Sequence, residues 1–396
     1  MKNIISSSKV RFLPGIIAAA LFMLSCSPSQ DYELLFDEQI AEMSGSVEDS
    51  GTKGETAISE SETEAEEEKT VSAFRIHCSE EYGNAWPSGN SQKNIPSGNF
   101  VVFQGLILFQ CDSVSHGLQL YTLDPDTMKV SLFCKDAVCT HDMNSDCVSA
   151  SCFGNLEVFQ GDLYALTMGF VFSKYDEGRF VTCTDGEISG FWHGDDGLFA
   201  ITADRSLIRL DDSGNVELIN DAYAEYWNTN YNGKIYGNSG SAYYVLDLND
   251  DHPEPRNLIN TSAAVNDGSL IYFLEDKTLR LCTASQDGEL ITGLTDRGVM
   301  AGSMNFDSDY VYYRYQDKES DEDRTEHVMY RVPKDGSAPP EQVADLPGRI
   351  LNIYTVPGCD TVFAVCFREA DEQAAGIYAV KKDGSDYCRL DIRTDF

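Results

Sequence analysis

The sequence predicts an all-β protein, a β-propeller of four-stranded blades, and three observations carry that prediction. An apolar run, an Asn/Asp/Gly turn and a second run rich in Tyr, Phe, Val and Ile recur seven times, at turn-to-turn intervals of 56, 36, 36, 35, 41 and 51 residues. Each copy is followed by a second strand–turn–strand pattern, so that two hairpins make one blade. From about residue 71 onward no segment shows the apolar spacing of an amphipathic helix.

The units follow in chain order. The first turns at Phe103-Gln104-Gly105 and again within residues 120–133 (LYTLDPDTMKVSLF). The second turns at Phe159-Gln160-Gly161-Asp162 and within 172–183, the third at Gly194-Asp195-Asp196-Gly197 and within 207–219. The fourth turns at Asn230-Tyr231-Asn232-Gly233 and within 243–259, the fifth at Val265-Asn266-Asp267-Gly268 and within 279–292. The sixth turns at Phe306-Asp307-Ser308-Asp309 and within 329–344, the seventh at Pro357-Gly358-Cys359-Asp360 and within 377–392. Gly, Asn and Asp at these points supply the positive φ that tight hairpins need. Tyr387 to Ile392 reads as the outermost strand of the seventh unit, and residues 72–78 (SAFRIHC) as an edge strand that helps to close the ring. The count is seven blades, with six or eight following if a long interval is divided differently. A pair of β-sandwiches is the alternative architecture, but it does not explain seven copies in register.

Charge and termini set the location. The 396 residues carry a net charge of −36. Residues 1–30 hold three basic residues and no acid, residues 31–70 hold 14 acids against Lys53 and Lys69, and the remainder holds −27. A domain this acidic repels nucleic acid, so no DNA or RNA partner is expected. Lys2, Lys9 and Arg11 precede an apolar stretch from Phe12 to Leu24, which makes residues 1–25 a signal peptide, too short to span a bilayer. It ends in Met23-Leu24-Ser25-Cys26, which resembles a bacterial lipoprotein lipobox with Met23 where Leu is usual. The resemblance implies lipidation of Cys26, membrane attachment through the lipid and residence on the outer face of the cell membrane. Each acyl chain contributes about 0.8 kcal/mol per buried methylene, so two or three hold a protein durably. An ordinary secretory signal with an incidental Cys is the alternative. Residues 26–70 then form an acidic tether, nearly free of large apolar residues after residue 43 and expected to be disordered. Residues 71–396 form the propeller domain.

Chemistry concentrates in one loop. Cys134, Cys139, His141, Cys147 and Cys152 lie between the last strand of the first unit and the first strand of the second. Disulfides would staple a loop with little core of its own, as is usual in exported proteins. A tetrahedral zinc site from Cys134, Cys139, His141 and Cys147 is the second reading, although C-x4-C is looser spacing than a C-x2-C knuckle. A c-type haem is the third, and Thr140 breaks the Cys-His pair it requires. The segment LFCKDAVCTHDMNSDC resembles the C-x4-C-T-H signature of uncharacterised exported lipoproteins of anaerobic Gram-positive bacteria, which are similar to TolB-like propellers. That resemblance implies location and fold and carries no activity; it also implies a weakly oxidising exterior, which favours metal over disulfides. Besides Cys26 there are eleven cysteines, an odd number, and Cys366 and Cys388 fall in one unit as possible neighbours.

Two further features point to binding rather than reaction. Trp192 and Trp227 stand 35 residues apart on the innermost strands of their units, where a pair at the channel mouth would stack on a sugar or a peptide aromatic; as core residues they would wedge blades apart. The acidic stretch Asp317 to Asp323 offers oxygen ligands for calcium but lacks the Gly of an EF-type loop, and reads as a solvated insertion. No G-x-S-x-G, H-E-x-x-H or phosphate-binding Gly loop occurs, and the six histidines are scattered with no triad-like companions in sequence. The expectation is a membrane-anchored propeller that binds a peptide, glycan or partner protein. A hydrolase or lyase with an acidic site at the channel mouth, or a structural module of an envelope complex, stands beside it.

Overall fold

The computed structural model describes residues 74–78, 100–113, 117–136, 138–141, 147–194, 197–210, 215–220, 227–239, 241–261, 263–276, 278–296, 304–315, 326–356, 358–367 and 375–392. The expected signal peptide, Cys26, the acidic tether and the Asp317–Asp323 stretch lie outside them. All regular structure in the described residues is β, and among them there is no helix long and apolar enough to cross a membrane.

The first sheet is a meander of β1 (Val101–Phe103), β2 (Leu106–Ser113), β3 (Gly117–Leu123) and β4 (Val130–Leu132). The next is seven-stranded: β5 (Cys152–Phe159), β6 (Asp162–Thr167), β7 (Val171–Asp176), β8 (Arg179–Gly194), β9 (Gly197–Thr202), β10 (Leu207–Leu210) and β11 (Val216–Asn220). Four-stranded meanders follow: β12 (Trp227–Tyr231) to β13 (Lys234–Ser239), β14 (Ala242–Asp247) and β15 (Arg256–Asn260), then β16 (Ala264–Asn266) to β17 (Ile271–Leu274), β18 (Leu281–Ala284) and β19 (Leu290–Gly293). The last two are β20 (Asn305–Phe306), β21 (Tyr310–Arg314), β22 (Val328–Pro333) and β23 (Glu341–Asp345), and β24 (Arg349–Thr355), β25 (Thr361–Phe367), β26 (Gly376–Lys381) and β27 (Tyr387–Arg389). Strand β8 serves twice. Its stretch from Arg179 to Glu187 pairs with β7, and that from Ile188 to Gly194 pairs with β9. Divided there, the strands group as seven fours.

Sequence explains the hairpins. Gln104-Gly105, Gln160-Gly161 and Asn232-Gly233 each place two successive residues at positive φ, the requirement of a two-residue type I′ turn. Packing explains the strands. Seven apolar clusters among the described residues each combine residues of two neighbouring units, so inner strands such as β17 (IYFL) are covered on both faces. Tyr312 faces the seventh unit while the adjacent Tyr313 faces the fifth. The outermost strands are wet: every residue of β19 is exposed. One cluster joins Phe100, Phe109 and Tyr121 of the first unit to Tyr354, Phe363 and Ile377 of the last, which closes the ring.

Polar braces repeat at two of the junctions. The Asp267 carboxylate accepts from the backbone N–H groups of Ser269 and Leu270 and from the Tyr272 hydroxyl, while Lys334 of the next unit donates to it at 2.6 Å. Asp307 does the same one unit later, with Asp309, Tyr310, the Tyr312 hydroxyl, and Lys382 at 2.8 Å. Burial alone would raise both carboxyls, but the adjacent ammonium groups and the N–H donors more than offset it and hold them below the usual carboxylate range.

Residues 74–78 make less strand than the sequence suggests. They form one isolated antiparallel bridge, between Cys78 and Cys359. Cys366 and Cys388, expected as neighbours, lie on β25 and β27 with β26 between them, and they face opposite junctions. Burial pushes the Cys366 thiol up to about 12, the behaviour of a small core hydrophobe.

Candidate metal centre

The cysteine loop hangs between β4 and β5 and is tied to the sheets by its backbone. Phe133 enters the apolar cluster between the first two units, and the Cys134 N–H donates to Ser149 Oγ at 2.6 Å. Asp136 makes the next turn, its carboxylate accepting from the Val138 N–H and its carbonyl from the Cys139 N–H. That turn presents Cys139 and leaves Val138 exposed. His141 takes a left-handed φ of 53°, and its carbonyl accepts from Nε2 of Gln119, which is buried on β3. Leu120 N–H to Ser149 O and Met168 N–H to Ser151 O stitch the far end of the loop to β3 and to the end of β6.

Four donor atoms converge as a result. The sulfurs of Cys134, Cys139 and Cys147 and a ring nitrogen of His141 all lie within 4.8 Å of one another. His141 Nδ1 stands 3.4 Å from Cys147 Sγ, and the His141 backbone N–H points at Cys139 Sγ from 3.4 Å. Around a tetrahedral zinc ion with metal–sulfur and metal–nitrogen bonds of about 2.3 and 2.0 Å, neighbouring ligands stand roughly 3.5–3.8 Å apart. The cluster is therefore near the size such an ion sets. Burial pushes the Cys147 thiol up to about 12, against the opposing backbone N–H groups of Ala150 and Ser149. A dipositive ion reverses that, because it binds thiolate and drives the proton off. The N–H groups aimed at Cys147 and Cys139 then supply the outer hydrogen bonds a metal thiolate uses. A disulfide would join two of the three sulfurs and leave a thiol and an imidazole packed together; one ion uses all four donors.

Cys152, expected beside these four, is placed elsewhere. It is buried on β5 in the cluster between the first two units, with Gln110 Nε2 donating to its sulfur at 3.1 Å. Trp192 is also in the core: 1% exposed, it packs against Phe199, Ile201, Leu207, Ile235 and Leu246, wedging the third unit against the fourth and offering no open face for a ligand. Trp227 begins β12 opposite Gly237, and its side chain lies outside the described residues.

One pairing escaped sequence reading. Glu157 on β5 and His193 on β8 occupy equivalent places on neighbouring innermost strands and meet at 2.8 Å through His193 Nδ1, both largely buried. The signal was their separation of 36 residues, one repeat length, which also relates Asn155 to the Phe191 carbonyl it donates to.

No protein-family model and no curated protein matches the sequence. Solved structures do match in fold. A puromycin-hydrolysing peptidase of Mycobacterium tuberculosis aligns at a TM-score of 0.52 and 10% identity over 79% of this chain, which spans about half (55%) of that peptidase. BamB from Moraxella catarrhalis aligns at 0.42 and 12% identity, over 72% of this chain and 85% of BamB. An oligogalacturonate lyase of Vibrio parahaemolyticus aligns at 0.39 and 12% identity, over 80% and 79%. At 10% identity the likeness to the peptidase speaks to fold alone, and the conclusion that the chain folds as a β-propeller rests on it together with the sheets and junctions above.

Proposed function

We propose that this chain is a binding propeller of seven blades, carried outside the cell membrane on a lipidated Cys26, and that a zinc ion in the loop of Cys134, Cys139, His141 and Cys147 fixes one rim of its recognition surface. The observation that carries the reading is the convergence of three sulfurs and one imidazole nitrogen within 4.8 Å. Such a closed four-ligand set suits a structural ion, since a catalytic zinc keeps a position open for water. The ion replaces the apolar core that a loop on a blade rim lacks, and so holds a long connection in one shape for a peptide, glycan or protein ligand. The acidic surface and the lipobox-like Cys26 support a place outside the membrane with no nucleic-acid partner.

Metal analysis of anaerobically purified full-length protein should give about one zinc per chain, falling towards zero in Cys147→Ser. Array binding to glycans and peptides should weaken when the metal is removed by a chelator and return when zinc is restored. Metal-free protein with Cys134, Cys139 and Cys147 in disulfides would overturn the zinc reading. A Cys26→Ala variant that stays in the membrane fraction would overturn the anchor.

The Glu157–His193 pair favours one second reading, a hydrolytic or lyase site on the inner strands, because a carboxylate that orients an imidazole is the core of many acid–base sites. Under that reading Glu157→Gln and His193→Gln abolish turnover of an array hit while leaving its binding intact.

A further inference from the structure

The sulfurs of Cys78 and Cys359 are 2.6 Å apart although the residues are separated by 281 positions. Three sets of contacts hold them together. First, the two residues form an antiparallel bridge, and the Asp360 N–H donates to the His77 carbonyl at 2.9 Å, which makes Cys78 and Cys359 a non-hydrogen-bonded pair. Such pairs bring Cα atoms to about 4.5 Å, inside the span a disulfide accepts. Second, the Asp360 carboxylate accepts from the His77 N–H and from Lys381, and Lys381 also donates to the Arg75 carbonyl and lies over the Phe74 ring. Third, Ile76 is 2% exposed in the cluster that closes the ring, and its N–H donates to the Pro125 carbonyl of the first unit. Residues 74–78 thus touch the last unit and the first unit at the same place.

We propose that Cys78 and Cys359 form a reversible disulfide, a redox latch that locks residues 74–78 into the junction between the last and first blades. The oxidant is a disulfide-bearing reagent, either a small one such as oxidised glutathione or a dithiol oxidoreductase in its oxidised form. Cys78 is the partly exposed member and Cys359 the buried one, so the Cys78 thiolate attacks the donor disulfide and displaces one donor thiol. The Cys359 thiolate then attacks Cys78 Sγ of the mixed disulfide and displaces the second. Two protons and two electrons leave the pair and reside in the two donor thiols, while one S–S bond forms in the protein and one breaks in the donor. The latch acts where it has the most leverage, since the junction it spans is the one that no short connection holds.

The test is a redox titration of the full-length chain. Protein equilibrated in glutathione buffers from reduced to oxidised is quenched in acid, unfolded, alkylated, digested and read by mass spectrometry. A linked peptide containing Cys78 and Cys359 should appear with oxidation, and the oxidised protein should melt about 5–10 °C above the reduced one. Cys78→Ala should melt with the reduced wild type and lose the part of the redox-dependent shift that accompanies the linked peptide. Both cysteines recovered alkylated from the most oxidising buffer, or Cys359 linked to a different cysteine, would overturn the latch. So would a full redox-dependent shift in Cys78→Ala. Since the peptide assay is run on wild-type protein, it decides even if a variant folds poorly.

Discussion

Lys334→Met is the sharpest probe of how adjacent blades are held. Met keeps the apolar stem and removes the ammonium that reaches from the turn after β22 to Asp267 of the preceding unit. The two side chains are 15% and 9% exposed, so the pair is nearly buried and solvent does little to screen it. Removing one partner of a buried pair costs about 3–5 kcal/mol, because the other charge stays behind uncompensated. Here Asp267 keeps the Ser269 and Leu270 N–H groups and the Tyr272 hydroxyl, which sets the expectation at the lower end, about 3 kcal/mol, or a melting point some 5–10 °C lower. The pH dependence is the diagnostic part. In the wild type Asp267 is depressed below its unfolded value, so its contribution is present above about pH 4 and is lost as pH falls through the folded value. In the variant burial is no longer opposed by the ammonium and the folded carboxyl rises above its unfolded value. Protonation then relieves the strain of a buried charge, and the variant regains stability as pH falls from 7 towards 4. Urea unfolding at pH 7, 5.5 and 4.5 should therefore show a deficit that shrinks with acid. A deficit below about 0.5 kcal/mol at pH 7, the ordinary range for a surface change, would refute the reasoning, and so would one that is constant with pH.

Two further substitutions test the packing. Gly268 sits at a φ of +88°, and a Cβ there would lie 2.5 Å from the Tyr231 ring, so Gly268→Ala combines backbone strain with a clash and should cost about 2–4 kcal/mol in chemical denaturation. Gly105, at φ +78° with nothing near its Cβ, isolates the strain alone at about 1–2 kcal/mol, and equal losses at the two sites would contradict the clash. Trp192→Ala should cost about 3–5 kcal/mol as a core truncation, whereas a stacking platform for a ligand would lose binding and keep its stability.

How far the sequence could be read depended on whether a signal was local. The first-turn positions were legible because a two-residue turn with both φ positive admits few residues, and Gln-Gly and Asn-Gly meet that need within a few positions. The four metal-type donors were legible because they fall within one short loop. Strand β8 was not, since the boundary between two units falls inside one 16-residue strand that pairs with β7 at its start and β9 at its end. Cys366 and Cys388 misled for a related reason: membership of one blade says nothing about which face a side chain takes, and alternate faces belong to different junctions. The Glu157–His193 pair needed the repeat length as a ruler. The Cys78–Cys359 contact, 281 positions apart, left no mark a linear reading can find.

The two clusters of cysteine chemistry share a position in the ring. Cys134, Cys139 and Cys147 lie on the connection that leaves the first unit, and Cys78 with Cys359 lies at the junction through which the first unit meets the last. The other junctions among the described residues join units that follow one another in the chain, so their formation closes short loops. This one joins the two ends, and the entropy of bringing such distant segments together grows with their separation. The first and last units are accordingly the ones least held by chain connectivity, and a cross-link at either side of the first unit offsets that. The proposed zinc ion on one side of it and the proposed disulfide on the other would place its attachment under two chemically different controls, ion supply and redox poise. Under the proposed binding role, loss of either would loosen the same blade.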